Sequence, residues 1–221
     1  PWSQGPSMLQ QLALLDGMGV GEMDPTGPDF VHSVVEAIKL AMADREAFYG
    51  DPDFTDVPMQ TLLSAEYNAE RRKLIGETAS MDLCPGTIDG YLGSIDAAMG
   101  VDVELDPREM ERMGIGEPTV SKSGAMKGDT VHIDVIDKDG NMFSATPSGG
   151  WLQSSPIIPE LGFCMGNRAQ MFWLDERSPS ALGPKRRPRT TLSPSFALRD
   201  GEPYMAFGTP GGDQQDQWQT L

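Results

Sequence analysis

Gly128-Asp129-Thr130-Val131-His132-Ile133-Asp134-Val135-Ile136-Asp137-Lys138-Asp139-Gly140-Asn141 is the stretch whose reading decides the fold. From Thr130, polar and apolar residues alternate. Val131, Ile133 and Val135 fall on one side, Thr130, His132 and Asp134 on the other, which is the period of a half-buried strand. Asp139-Gly140 is the residue pair of a tight hairpin, because such a turn needs φ > 0. Met142-Phe143-Ser144-Ala145-Thr146 then returns as the partner strand. A threonine therefore stands at the head of a strand, just after a glycine.

Working outward, the pattern changes from strand to helix on the N-terminal side. Met8, Leu9, Leu12 and Leu15 recur at helical spacing within Ser7 to Met18. Asp29 is placed to cap a second helix with a stripe of Val31, Val34, Val35, Ile38, Met42 and Phe48. A short polar helix is expected over Ala65 to Ile75, and Gly76 to Gly128 lacks periodicity, as a surface connection does. On the C-terminal side, Leu161 to Met165 reads as a short strand. Ser195 to Leu198 and Tyr204 to Phe207 form a second hairpin about Asp200-Gly201, which delivers Gly211-Gly212 to its far end. Helices followed by antiparallel strands imply an α+β fold.

Composition narrows the function. The 221 residues carry 33 acidic and 17 basic side chains, a net charge of −16, which argues against nucleic acid as a partner. No apolar run is long enough to span a bilayer. Cys84 and Cys164 lack metal or redox spacing, and two histidines are too few for a histidine-rich metal site. Neither a metal nor another cofactor is expected.

Four stretches, in order, carry a family resemblance. Ala43-Asp44-Arg45 with Gly50-Asp51-Pro52-Asp53-Phe54 is the first, and Asp129-Thr130-Val131-His132 with its sequel to Asn141 the second. Arg187-Pro188-Arg189-Thr190-Thr191-Leu192-Ser193-Pro194 and Gly208-Thr209-Pro210-Gly211-Gly212 complete the set. Together they resemble the γ-glutamyltransferases, N-terminal-nucleophile hydrolases made as one inactive chain that cuts itself before a threonine. The resemblance implies part of an αββα four-layer sandwich. It implies that residues 1–129 are the C-terminal part of a large subunit, with 77–129 a flexible pre-cleavage linker. Residues 130–221 would be the N-terminal part of the small, catalytic subunit, and the chain an internal fragment of its precursor. The compartment, cytoplasmic or periplasmic, stays open.

The chemistry follows by residue. Cleavage between Asp129 and Thr130 would make Thr130 both nucleophile and base. Its α-amino group has a pKa of about 8, against about 10.4 for a lysine, so a useful fraction is neutral and can take the hydroxyl proton. Gly211 and Gly212 would offer N–H groups to the oxyanion, where each donor is worth about 3 kcal/mol. Ser148 takes the place of a family threonine beside the nucleophile. Thr190 and Thr191 stand where the family binds a substrate carboxylate, and the cationic run Lys185, Arg186, Arg187 and Arg189 is either a steering patch or a solvated loop.

One departure bears on substrate. Where the family holds an α-amino group with Asn, Gln and Asp, this sequence has Gly150, Arg168 and Met171. Arg168 suits a carboxylate, which leans towards a small-molecule amide with an acidic acyl group. The rivals are a true γ-glutamyltransferase or glutathione hydrolase, and a catalytically silent relative used for binding or structure. The large-subunit arginine of the family would precede Pro1, so residues 1–221 alone are expected to be inactive.

Overall fold

The structure, a computed structural model, describes residues 4–91, 130–147, 156–166 and 168–221. Asp129 and Ser148 lie outside the described residues, as do Gly150 and most of the 77–129 stretch. The chain divides into two compact units: unit 1 comprises Pro1–Val101, Met171–Arg189 and Thr220–Leu221, and unit 2 comprises Asp102–Gln170 and Thr190–Gln219.

Unit 1 is helical. Helix α1 (Gln4–Leu15) packs on α2 (Pro28–Phe48) and α4 (Ala65–Arg72), with the single turn α3 (Met59–Leu62) before α4. The start of α2 differs from the sequence expectation: Gly27 occupies the N-cap, Pro28 the first helical position, and Asp29 the first turn without capping. Proline fits there because its missing N–H would have had no helical partner. Ser64 does cap α4, its hydroxyl accepting from the Tyr67 N–H at 3.2 Å. That helix stops at Arg72 rather than Ile75.

The helices bury only part of the stripes their large apolar residues describe, with Met8, Leu15, Val34 and Phe48 inside. Leu9, Leu12, Val31 and Val35 are exposed, while Leu14, Val34, Ala37 and Ala41 are buried. The alanines let α1 and α2 approach closely. Among them sits Asp44, wholly buried. Its carboxylate accepts from Gln10 Nε2 at 2.6 Å, Gly86 N at 2.7 Å, Tyr67 Oη at 3.0 Å and Arg71 Nε at 3.3 Å. Burial pushes the Asp44 carboxyl up, against the opposing pull of Arg71 and its hydrogen bonds. Arg45 donates to Gln4 Oε1 at 2.7 Å. Those two buried charges require amide partners, which is why the inner face of α1 carries Gln4 and Gln10. Arg72 meanwhile donates to the Leu14 and Ala13 carbonyls at 2.7 and 2.9 Å, closing the last turn of α1.

The rest of unit 1 is tied to the end of α2. Asp51, buried, accepts from the Arg187 backbone N–H at 2.7 Å and from Arg187 Nη2 at 2.6 Å. Asp53 takes the same guanidinium at 2.9 Å. The bonded Arg187 holds the Asp51 carboxyl well below the usual carboxylate range. Arg186 lies over the Phe54 ring, 5.4 Å from its centre. Both arginines are therefore engaged within unit 1 rather than standing as a loose cationic patch. Ser180 donates to the Tyr49 carbonyl at 2.8 Å and Trp173 Nε1 to Glu46 at 3.0 Å.

Unit 2 holds every described strand, as three antiparallel pairs: β1 (Ile133–Ile136) with β2 (Met142–Ala145), β3 (Ile157–Ile158) with β4 (Phe163–Cys164), and β5 (Ser195–Arg199) with β6 (Glu202–Phe207). The helices of unit 1 and the antiparallel strands of unit 2, which also holds a short helix, make the fold α+β. Asp200 and Gly201 have φ of 54° and 84°, the paired positive values of a two-residue type I′ turn. At the first hairpin only Gly140 is left-handed, with φ 82°. There the Asp137 carboxylate accepts from the Asp139 and Asn141 N–H groups at 2.8 and 2.9 Å, giving a longer loop than the sequence suggests. Strand β6 lies against both β1 and β2. The alternation of β1 holds, but Val131, Ile133 and Val135 are exposed. Each keeps about half of its surface exposed, while the His132 side chain on the opposite face is 8% exposed, so the most enclosed side chain of this strand lies on the face that the apolar residues do not mark.

Candidate active site

Thr130 stands, half-buried, at the head of the first hairpin. The Val131 N–H donates to the Pro147 carbonyl at 3.1 Å, continuing the ladder beyond the Ile133–Ala145 pair towards Thr130. Because side chains alternate, Thr130 and His132 share one face. The His132 side chain is only 8% exposed. Its Nδ1 lies 2.7 Å from Thr146 Oγ1 and its Nε2 2.7 Å from Asp134 Oδ2.

The glycine loop Gly208–Gly212 follows β6 directly. A Cβ on Gly208 would come within 2.1 Å of the His132 ring, so the loop begins flat against that imidazole. Gly211 has φ 121° and ψ 72°, a conformation open to glycine alone. A Cβ there would also meet the Trp218 ring at 2.4 Å. Gly212 then opens a 3₁₀ turn (Gly212–Gln214) leading into α5 (Gln215–Thr220).

The segment just after the threonine pair is held from this helix. Gln215 and Gln219, four residues apart and hence on one face, reach Ser193. The Ser193 N–H donates to Gln215 Oε1 at 3.3 Å, and Gln219 Nε2 donates to Ser193 Oγ at 2.9 Å. Thr190 Oγ1 accepts from the Leu192 N–H at 3.2 Å. Thr191 is 2% exposed, and its hydroxyl has no hydrogen-bond partner among the described residues. Such a group is unusual, since buried hydroxyls are nearly always paired.

Two junctions thus organise unit 2: His132 on Gly208, and Ser193 on α5. Neither is built with Arg168, which opens a separate 3₁₀ turn (Arg168–Met171) and is partly exposed. His132, Asp134, Thr146, Gln215 and Gln219 were not singled out as site residues from sequence. Only the placement of His132 and Asp134 on the Thr130 face signalled them. Among the described residues, no group of three or more His, Cys, Asp or Glu is placed to hold a metal ion, and no helix is long and apolar enough to cross a membrane.

The architecture is that of an α+β protein with a threonine-headed strand beside a glycine loop. All of it, residues 1–221, matches the family described as Gamma-glutamyltranspeptidase, and the chain belongs to that family. It is 27% identical over 225 residues to the glutathione hydrolase proenzyme of Pseudomonas sp. (strain A14), covering 97% of this chain and 34% of that protein. It is 30% identical over 212 residues to the acylase ACY 1 proenzyme of Pseudomonas sp. (strain SE83), covering 96% and 32% respectively. A solved structure of LmbA2991 is 53% identical with a TM-score of 0.74, over 100% of this chain and 35% of that one. The chain spans about a third of the length of the relatives it matches.

Proposed function

We propose that this chain is the nucleophile-bearing part of a self-processing amidohydrolase, built on the αββα sandwich of N-terminal-nucleophile hydrolases. In this reading the Thr130 hydroxyl attacks the Asp129 carbonyl, breaking the amide to give an ester and the free Thr130 α-amino group, and water then opens the ester to release the Asp129 carboxylate and restore the hydroxyl. That amine then takes the hydroxyl proton as Thr130 attacks a substrate amide, forming an acyl-enzyme and releasing the amine. Water or a second amine removes the acyl group. The N–H groups of Gly211 and Gly212 receive the oxyanion, and the Ser148 hydroxyl takes a supporting role. The observation that carries the reading is the meeting of the Thr130 strand with the glycine loop, through His132 and Gly208. Family membership and the proenzyme names of the relatives support it.

For the substrate, the unpartnered hydroxyl of buried Thr191 supports a carboxylate-binding role for Thr190 and Thr191. Arg168 favours an acidic acyl group. The glutathione hydrolase names favour a γ-glutamyl substrate instead. Turnover of γ-glutamyl p-nitroanilide beside glutaryl p-nitroanilide separates the two, since only the first carries the α-ammonium. The central test is the intact mass of the whole protein that contains this chain, beside its Thr130→Ala variant. Two pieces with a new N-terminus at Thr130, absent in the variant, are expected; a single uncut wild-type chain refutes self-processing.

A further inference from the structure

We infer that His132 is a positioning residue, which fixes the glycine loop relative to the nucleophile strand. The inference rests on the acyl-transfer reading above. Three observations carry it. The ring is almost wholly enclosed, with a side-chain exposure of 8%. Both nitrogens are bonded at 2.7 Å, to groups on the two arms of one hairpin. One edge of the ring occupies the space that a side chain at position 208 would need, with Cε1 2.1 Å and both nitrogens 2.6 Å from an ideal Cβ.

Hydrogen-bond chemistry fixes the ring's orientation. An ionised Asp134 only accepts, so Nε2 carries the proton and donates to it. Nδ1 pairs with the Thr146 hydroxyl, which can donate or accept. With Thr146 and Asp134 on its two nitrogens, the ring has neither nitrogen left for the Thr130 hydroxyl. His132 is thus no general base for the Thr130 reaction. Its work is mechanical: a ring locked between β1 and the end of β2 forms the floor on which the glycine loop starts. Trp218 grips the same loop at Gly211. Held at both ends, the loop keeps its N–H groups in one place relative to Thr130, and a displacement of about 1 Å at such a site costs on the order of a hundredfold in rate.

The experiment is a double-mutant cycle in the whole protein, with kcat and KM measured on γ-glutamyl and glutaryl p-nitroanilides. His132→Ala and Gly208→Ala are each expected to lower kcat by on the order of tenfold to a hundredfold, with KM held within about threefold. The double variant is expected to be no worse than the poorer single, because both changes break one contact. His132→Gln keeps a donor for Asp134 but not the ring, and should lose kcat while melting like wild type. Additive losses, or a kcat within about twofold of wild type in His132→Ala, overturn the inference. Thr130→Ala separates this from failure of the underlying reading. If Thr130→Ala still turns over the anilides, the acyl-transfer reading fails and takes the inference with it; if it is dead while the cycle is additive, the inference alone falls.

Discussion

Asp44→Asn is the substitution to which unit 1 should be most sensitive. The carboxylate gathers donors from α1, α4, its own surroundings and the Gly86 backbone, with Arg71 Nη2 at 3.2 Å as its counter-charge. Asparagine leaves one acceptor oxygen and turns an NH₂ towards groups that are themselves donors. It also leaves the Arg71 guanidinium, 6% exposed, without its carboxylate. Removing one partner of a buried pair costs about 3–5 kcal/mol. Burial already disfavours the charged Asp44, offsetting part of the attraction, so the lower end of that range, about 3 kcal/mol, is expected. With a urea slope of about 2 kcal/mol per molar, the midpoint should fall by roughly 1.5 M. Urea unfolding followed by far-ultraviolet circular dichroism reads the loss of helix, most of which among the described residues lies in unit 1. Asp44→Leu with Arg71→Met should recover little of the loss, since Gln10, Tyr67 and the Gly86 N–H would lose their acceptor. An Asn variant whose midpoint moves by less than about 0.3 M would refute the role given to this carboxylate.

Arg187→Gln should let the Asp51 carboxyl rise towards the ordinary carboxylate value. A depressed folded pKa contributes stability that is present above the unfolded value and lost as pH falls through the folded one. The acid limb of unit 1 unfolding should therefore move to higher pH in the variant, and an unchanged acid midpoint would count against the pairing. Gly211→Ala places a Cβ against Trp218 at a φ that alanine resists. It should lower kcat by about a hundredfold, measured on the same anilides, whereas activity near wild type would remove Gly211 from the oxyanion site. Thr191→Val should leave the melting temperature equal or higher, because it deletes an unpaired buried hydroxyl. The same variant should raise KM for a carboxylate-bearing substrate, and an unchanged KM would exclude Thr191 from its binding.

How much was legible in the sequence differs from element to element. Asp200-Gly201 gave its hairpin away because two-residue turns demand two positive φ angles and few residue pairs supply them. Asp139-Gly140 looked the same, but the deciding group was Asp137, whose side chain draws the loop into a wider turn. In α1 and α2 the helical period was readable and the inward face only in part. Leu15, Val34 and Phe48 of the apolar stripes are buried, but the interior also holds Asp44 and Arg45, whose partners are glutamines of α1 that no apolar pattern marks. At the site, Thr130 and Gly211-Gly212 stood out by motif. The His132–Gly208 contact did not, because it joins two segments remote in sequence and is written as the absence of a side chain. Val131, Ile133 and Val135 followed the strand period faithfully, but periodicity says only which residues share a face, not whether anything covers it.

The bond between Asp51 and Arg187 joins residues on opposite sides of Thr130. In an intact chain it closes a loop, and its partners are never far apart. If the backbone is cut before Thr130, the same bond becomes an association between two molecules, governed by mass action. Ser180 on Tyr49 and Trp173 on Glu46 would cross the cut in the same way. Dilution, which cannot affect the uncut chain, would then become a way of taking unit 1 apart.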